Sequence, residues 1–162
     1  MFPAMSGTIT AFSIGLFIHV LAVVLAFGPT YGYAIFISTA ENNAPHSVPT
    51  VLRAIQRADR LLVTPGMVVV LLAGIYLLSK ANISASESWV GVGFLAIIVL
   101  FGMAHAFFRP NAQKALDLAE RDLAAGDTLS PEYEAVSKTI ATGGKIAGAI
   151  VAITIFFMVV KP

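Results

Sequence analysis

Two of the three histidines, His19 and His105, lie inside long apolar runs of this sequence. Ionisable side chains are costly inside a bilayer, so they usually face the interior of a helix bundle and mark functional sites. Two imidazoles on helices that cross the membrane in the same direction could ligate the iron of a b-type haem. Copper binding and a proton relay are further alternatives. The structural alternative is that each ring hydrogen-bonds a backbone carbonyl or a hydroxyl of a neighbouring helix.

The helical rise places these two histidines at different depths. Counted from Ile9, His19 lies about ten residues into its run, which corresponds to about 15 Å. Counted from Trp89, His105 lies about sixteen residues in, or about 24 Å. Axial ligands of one haem need to lie at nearly the same level. A shared haem therefore requires helix tilt to absorb the difference.

Arginines form a second group of candidate binding residues. Arg53, Arg57 and Arg60 recur at i, i+4 and i+7, which places them on one face of a helix. Arg109 ends the apolar part of a later helix. Two interpretations apply to all four arginines: the side chains contact anionic lipid, or they cradle an acidic group such as a cofactor carboxylate. Asp59 is expected to form a local charge pair with Arg60.

Other familiar chemistry is not apparent in the sequence. His46 lies in a polar loop and is interpreted as a solvated side chain. The chain has no cysteine and five methionines, which gives copper few soft ligands. We find no metal-ligand cluster, no Ser-His-Asp arrangement and no phosphate loop. The formal net charge of +1, without a basic stripe, predicts no nucleic-acid partner.

Four apolar segments must position these residues. Of the 162 residues 57% are hydrophobic and 12% charged, against about 25% charged in a typical soluble domain. The segments are long enough to cross a bilayer. We predict one all-α domain over residues 1–162, a four-helix transmembrane bundle with helical extensions on the cytoplasmic side. The predicted helices are about 8–39, 50–79, 89–125 and 131–160.

Prolines mark irregular points in three of these helices. Gly28-Pro29 predicts a kink in the first. Thr64-Pro65 either begins the second helix or kinks one that runs through from Thr50. The third is expected to continue past Arg109-Pro110 to Ala125 as a charged, amphipathic extension.

The distribution of cations predicts the orientation. Two cations, Lys80 and Lys161, lie clearly at one end of the bundle, and Lys145 lies inside the fourth helix. The remaining seven lie at the other end: Arg53, Arg57, Arg60, Arg109, Lys114, Arg121 and Lys138. The positive-inside rule then places both termini outside the cytoplasm of a multi-pass protein, with a bacterial inner membrane as the expected host.

Small residues recur at four-residue spacing and predict close helix contacts. The pairs are Gly102 with Ala106 and Gly144 with Gly148, and a small-residue stripe follows Gly15 on the first helix. Such faces let transmembrane helices approach closely. We interpret them as packing faces of the bundle.

Three stretches resemble a known group of membrane proteins. They are Leu16–Leu21 followed by Gly28, Arg57–Gly66 followed by Leu72–Leu78, and Trp89 ahead of a helix that ends at His105. They resemble the HemJ-like and CopD-like four-helix proteins, and most of all the DUF2269 group of predicted integral membrane proteins. A HemJ-like relation implies a protoporphyrinogen oxidase that binds haem b through His19 and His105. A CopD-like relation implies copper handling.

The leading functional hypothesis is a non-enzymatic accessory or interaction subunit of the DUF2269 type. It would associate with copies of itself or with a larger membrane complex in the lipid bilayer. The alternatives are a b-haem redox protein that uses His19 and His105, and a small transporter or copper-handling protein.

Overall fold

The structure is a computed structural model that describes residues 9–84 and 86–161. Within these ranges the chain forms four long helical rods. The first rod is α1, Ala11–Asn43, and the fourth is α6, Pro131–Val160. The second contains a 3₁₀ turn, Pro45–Ser47, then α2, Val48–Ala58, a π-helical segment, Asp59–Val63, and α3, Thr64–Ala81. The third contains α4, Ser88–Gly102, a second π-helical segment, Met103–Phe108, and α5, Arg109–Ala125.

Each rod contains a stretch long and apolar enough to cross a membrane. The prediction of an all-α, four-helix transmembrane bundle is therefore confirmed. The second rod runs through Pro65 and the third runs through Pro110, so both continue beyond their apolar stretches. Their charged extensions, α2 and α5, lie at the same end of the bundle, which we call the charged end.

Local sequence chemistry sets the ends of the rods. Thr10 and Ser13 form a reciprocal capping box at the start of α1. The Ser130 hydroxyl accepts a hydrogen bond from the Tyr133 amide at the start of α6, with Pro131 in the first turn. Asn82 ends α3 in the left-handed conformation, at φ 50°.

Both π-helical segments lie just before a proline, in the rods where the apolar stretch meets the charged extension. A proline inside a helix removes a backbone donor, and its ring crowds the carbonyl four residues earlier. That carbonyl belongs to Leu61 for Pro65 and to Ala106 for Pro110, and each lies inside a π-helical segment. The wider turn therefore accommodates the proline ring without breaking the rod.

The rods enclose two separate cores. In the membrane part, α1 packs along α3 and α4 packs along α6; at the charged end, α2 packs on α5. The charged-end core consists of Ala40, Val48, Leu52, Ala115, Leu116, Leu118, Ala119, Tyr133 and Val136. The membrane core consists of Ala26, Val63, Met67, Ile97, Leu100 and Val151.

Candidate functional site

His19 contacts the neighbouring rod. Its Nδ1 lies 3.0 Å from the carbonyl oxygen of Val70 on α3. The ring packs against Gly74 of α3, where a Cβ would lie 3.4 Å from the imidazole Cε1, in van der Waals contact. This is the interhelical hydrogen bond of the structural alternative. With Nδ1 engaged by a backbone carbonyl, Nε2 is the nitrogen left for a ligand.

His105 makes its polar contact within its own rod. It lies in the second π-helical segment, and its Nδ1 is 3.0 Å from the carbonyl oxygen of Phe101. The imidazole also stacks on the Phe101 ring, with centroids 4.3 Å apart and planes inclined by 22°. Among the described residues its Nε2 has no hydrogen-bond partner.

The structure does not bring these two imidazoles together. Ala26 and Leu100 both belong to the membrane core, which serves as a common reference for the two rods. His19 lies seven residues from Ala26 toward the uncharged end, and His105 lies five residues from Leu100 toward the charged end. These offsets of about 10 Å and about 8 Å run in opposite directions. The two imidazoles therefore lie at different levels of the bundle, and a haem held by His19 and His105 stays a prediction.

A polar layer separates the two cores. Along the inner face of the second rod, Leu52 belongs to the charged-end core and Val63 to the membrane core. Gln56 and Asp59 lie between them on the same face: Gln56 follows Leu52 by four residues, Asp59 follows Gln56 by three, and Val63 follows Asp59 by four. The Tyr33 hydroxyl of α1 donates a 3.1 Å hydrogen bond to Asp59 Oδ1. We call Tyr33, Gln56 and Asp59 the boundary layer.

The sequence-based prediction for Asp59 is wrong. Within the described ranges Asp59 forms no ion pair with Arg60, because its side chain turns inward to Tyr33 while Arg60 lies exposed on the outer surface. The Nε2 of Gln56 is buried and has no hydrogen-bond partner among the described residues. A half-buried carboxylate beside an unpaired amide donor can bind water, a proton or a small polar group. The spacing of Leu52, Gln56, Asp59 and Val63 is the sequence signal that identifies this layer.

The arginines divide into two groups. Arg53 forms an ion pair with Glu120 of α5. Arg57, Arg60 and Arg109 are exposed and form no ion pair or hydrogen bond with the described part of the chain. All three lie closer to the membrane part of their rods than the Arg53–Glu120 pair. The alternatives of an anionic lipid and an acidic group both remain open for them.

The predicted small-residue faces also divide into two groups. In the stripe of α1, a Cβ at Gly15 would lie 2.6 Å from the Tyr76 ring, so α1 and α3 approach closely there. A Cβ at Gly66 would likewise lie 2.8 Å from the Cβ of Ala26. Gly102 and Ala106 are exposed, and no described atom lies within 4 Å of a Cβ at Gly102. Gly144 is open in the same way. The close approach at Gly66 was not identified from the sequence.

The remaining candidate, His46, lies on the surface. Its Nε2 is 3.0 Å from Asp127 Oδ1, and both side chains are largely exposed. No group of three or more His, Asp or Glu side chains within residues 9–84 and 86–161 is placed to hold a metal ion.

Comparison with known proteins gives one match. The family model described as predicted integral membrane protein (DUF2269) matches residues 14–162. No curated protein and no solved structure matches the chain. The match covers all four rods and carries no statement about activity.

Proposed function

The chain belongs to the DUF2269 family of predicted integral membrane proteins, and from this premise we propose that it is an accessory subunit that associates with another membrane protein. The proposed contact is an open face on the third rod. It consists of Phe101, Gly102, His105 and Ala106. The observation that carries the proposal is that this small-residue pair lies exposed in the single chain.

The glycines inside the bundle supply the comparison. Gly15, Gly66 and Gly143 lie where a Cβ would collide with Tyr76, Ala26 and Phe107 respectively. Each therefore serves a contact that the chain makes with itself. Gly102 and Ala106 have the same spacing as a transmembrane packing motif, yet both are exposed, and no described atom lies within 4 Å of a Cβ at Gly102. A second helix could approach closely on this face.

His105 gives the open face a polar group. His105 lies between Gly102 and Ala106 in the sequence, and its Nε2 has no hydrogen-bond partner within the described ranges. A polar side chain at a lipid-exposed position gains from a hydrogen bond across to another helix. The small residues bring the backbones close, and the imidazole adds a directional contact, so the two features support the same role.

Cysteine crosslinking tests this proposal cleanly, because the chain has no cysteine of its own. Ala106→Cys in native membranes is expected to form a crosslinked species under mild oxidation or with a short bis-maleimide. Twice the monomer mass indicates a second copy, and any other mass indicates a different protein, which mass spectrometry identifies. Adding Gly102→Leu should abolish either species, because the larger side chain blocks close approach.

Leu72→Cys is the matched control. Leu72 lies on the membrane part of α3 and is 60% exposed, so a cysteine at this position is as accessible from the lipid as one at position 106. It should remain monomeric. Equal crosslinking at both positions, or none at Ala106→Cys, would reject the open face as a contact.

Haem binding through His19 and His105 remains a prediction from the resemblance. Protein expressed with ample haem and purified in detergent should then show a Soret band. His19→Ala and His105→Ala should each alter the band, and separately placed ligands predict that each variant retains part of it. A spectrum without a Soret band removes this alternative.

The boundary layer favours a small transporter as a second candidate. Asp59 and the unpaired amide of Gln56 lie between the two cores, where a proton or small polar solute would have to pass. Proton uptake into proteoliposomes that enclose a pH-sensitive dye should fall with Asp59→Asn and persist with Asp127→Asn. Uptake unaffected by Asp59→Asn contradicts this candidate.

For the orientation, we infer a charged end in the cytoplasm and both termini outside it. Seven of the ten Lys and Arg residues support this topology under the positive-inside rule. A C-terminal alkaline phosphatase fusion should therefore be active, while a fusion at Gly126 should be inactive. The reverse pattern would invert the topology.

A further inference from the structure

We propose that Arg57, Arg60 and Arg109 form a binding site for the phosphate of an anionic membrane lipid. The site lies on the outer surface where α2 meets α5, at the level of the two π-helical segments. It is separate from the open face of the third rod, so it does not depend on the proposed function.

The Arg53–Glu120 ion pair shows how α2 and α5 are aligned along the line where they meet, which we call the α2–α5 seam. It joins α2 to α5, two helices that run antiparallel and pack against each other. From Arg53, Arg57 and Arg60 follow on one face toward the membrane, about 6 Å and about 10 Å along the axis. From Glu120, Arg109 lies eleven residues back, which is three full turns and about 16 Å in the same direction.

The three guanidinium groups therefore border the α2–α5 seam. Arg60 and Arg109 differ by only about 6 Å along the bundle axis. Packed helices lie about 8–10 Å apart, a gap that two arginine side chains span easily. Phosphate is the anion that suits such a cluster, because the planar guanidinium offers paired N–H donors to its oxygens.

Within residues 9–84 and 86–161 no carboxylate forms an ion pair with these arginines. Every acidic side chain of the charged end already has a polar partner among the described residues. Glu41 accepts from Tyr133 and Ser137, Asp59 from Tyr33, Asp117 from Gln113 and Glu120 from Arg53. Asp122 and Glu132 contact Arg121, Asp127 contacts His46, and Glu134 contacts Lys138. The three guanidinium groups are therefore available to an anion from outside the chain.

The position in the bundle identifies the source of that charge. Leu61 and Leu62 directly follow Arg60 and are 62% and 40% exposed. Exposed leucines beside exposed arginines suit the boundary where acyl chains meet headgroups. By contrast, the paired cations Arg53, Lys114 and Arg121 lie along the extensions, farther from the apolar part of the rods. Paired and unpaired cations thus differ in their distance from the membrane.

Lipid titration with matched variants tests the site. The purified protein is titrated with phosphatidylglycerol or phosphatidylcholine in mixed micelles, and bound lipid is counted by native mass spectrometry. We expect a clear preference for phosphatidylglycerol. The triple variant R57Q/R60Q/R109Q should lower its apparent affinity about tenfold or more, since each cation near an anionic surface contributes severalfold.

The control triple R53Q/K114Q/R121Q removes the same charge from the same end of the bundle. It should change the affinity by less than about threefold, because these cations already have partners. Equal losses in both triples would show a diffuse charge effect and overturn the site. No loss in either would overturn it as well.

Two further measurements keep the result unambiguous. The variant R57K/R60K/R109K retains the charge but not the paired N–H donors, so its affinity should lie between those of wild type and R57Q/R60Q/R109Q at an unchanged melting temperature. An affinity equal to that of wild type would overturn the role of the guanidinium groups. Excess inorganic phosphate should not displace phosphatidylglycerol if the leucines hold its acyl chains. Displacement at millimolar phosphate would assign the cluster to a free anion and reject a lipid.

Discussion

The charged-end core and the membrane core of this bundle are packed by different means. The charged-end core closes around a large side chain, Tyr133, which is 1% exposed and hydrogen-bonds Glu41. Ion pairs such as Arg53–Glu120 surround it. The membrane core instead has no aromatic centre: it consists of aliphatic side chains such as Met67, together with Ala26, which is 0% exposed and lies against Gly66. Large apolar side chains in the membrane part mostly face outward, as Leu72 does.

The difference follows from the two solvents. In water the burial of apolar area stabilises a core, so a large aromatic ring is an effective centre. In lipid the surroundings are as apolar as leucine, and burial gives little gain. Helices there associate through close packing of small residues and through polar contacts. One chain thus uses both solutions, with the boundary layer between them.

Replacement of the aromatic centre should break the charged-end core most severely. Tyr133→Ala is expected to lower the free energy of unfolding by about 3–5 kcal/mol, because it leaves a cavity and frees a carboxylate contact. Thermal unfolding in detergent, followed by circular dichroism, measures the change. Tyr31→Ala is the control, since that ring is 55% exposed. Similar losses for both tyrosines would contradict a water-type core.

A single added methyl group should disturb the membrane core. Gly66→Ala is expected to cost about 1–3 kcal/mol, because its Cβ would lie 2.8 Å from the Ala26 Cβ and 3.1 Å from its Cα. Gly91→Ala meets no atom within 4 Å and should be neutral or slightly stabilising. Unfolding in graded mixtures of SDS and a mild detergent compares the two. Equal stability of both variants would show that close packing is not what holds α1 to α3.

The boundary layer should be less sensitive than either core. Tyr33→Phe removes the donor to Asp59 and keeps the ring, so we expect a loss of about 1–2 kcal/mol. Tyr76→Phe is the control, because its hydroxyl makes an exposed 3.4 Å contact with Ala11. The same unfolding assay applies. A Tyr33→Phe variant as stable as wild type would mean that water replaces the hydroxyl.

The surface ion pair should matter least. Arg53→Gln, Glu120→Gln and the double variant form a cycle whose coupling should be about 0–1 kcal/mol, because both side chains are substantially exposed. The coupling should shrink further at high salt. A coupling above that range would mean that the pair fixes the register of α2 on α5 energetically as well as geometrically.

The sequence by itself determined the four rods and their environment. Runs without charge such as Phe12–Ala40 can satisfy their backbone in lipid only as helices. The capping pattern of Ser130-Pro131 set the start of α6. The third rod continued past Arg109-Pro110 as predicted, with a π-helical turn before the proline that accommodates its ring. Local chemistry was sufficient in each of these cases.

The tertiary structure alone decided which residues meet. The helical rise had already predicted different depths for His19 and His105, and the packing of the rods paired His19 with the carbonyl of Val70. The tertiary structure turned Asp59 inward to Tyr33, twenty-six positions away, although a sequence neighbour of opposite charge was available in Arg60. It also left Gly102 open while it closed Gly66 against Ala26. Spacing places a residue on a helix face, but only the packing of the rods determines what that face contacts.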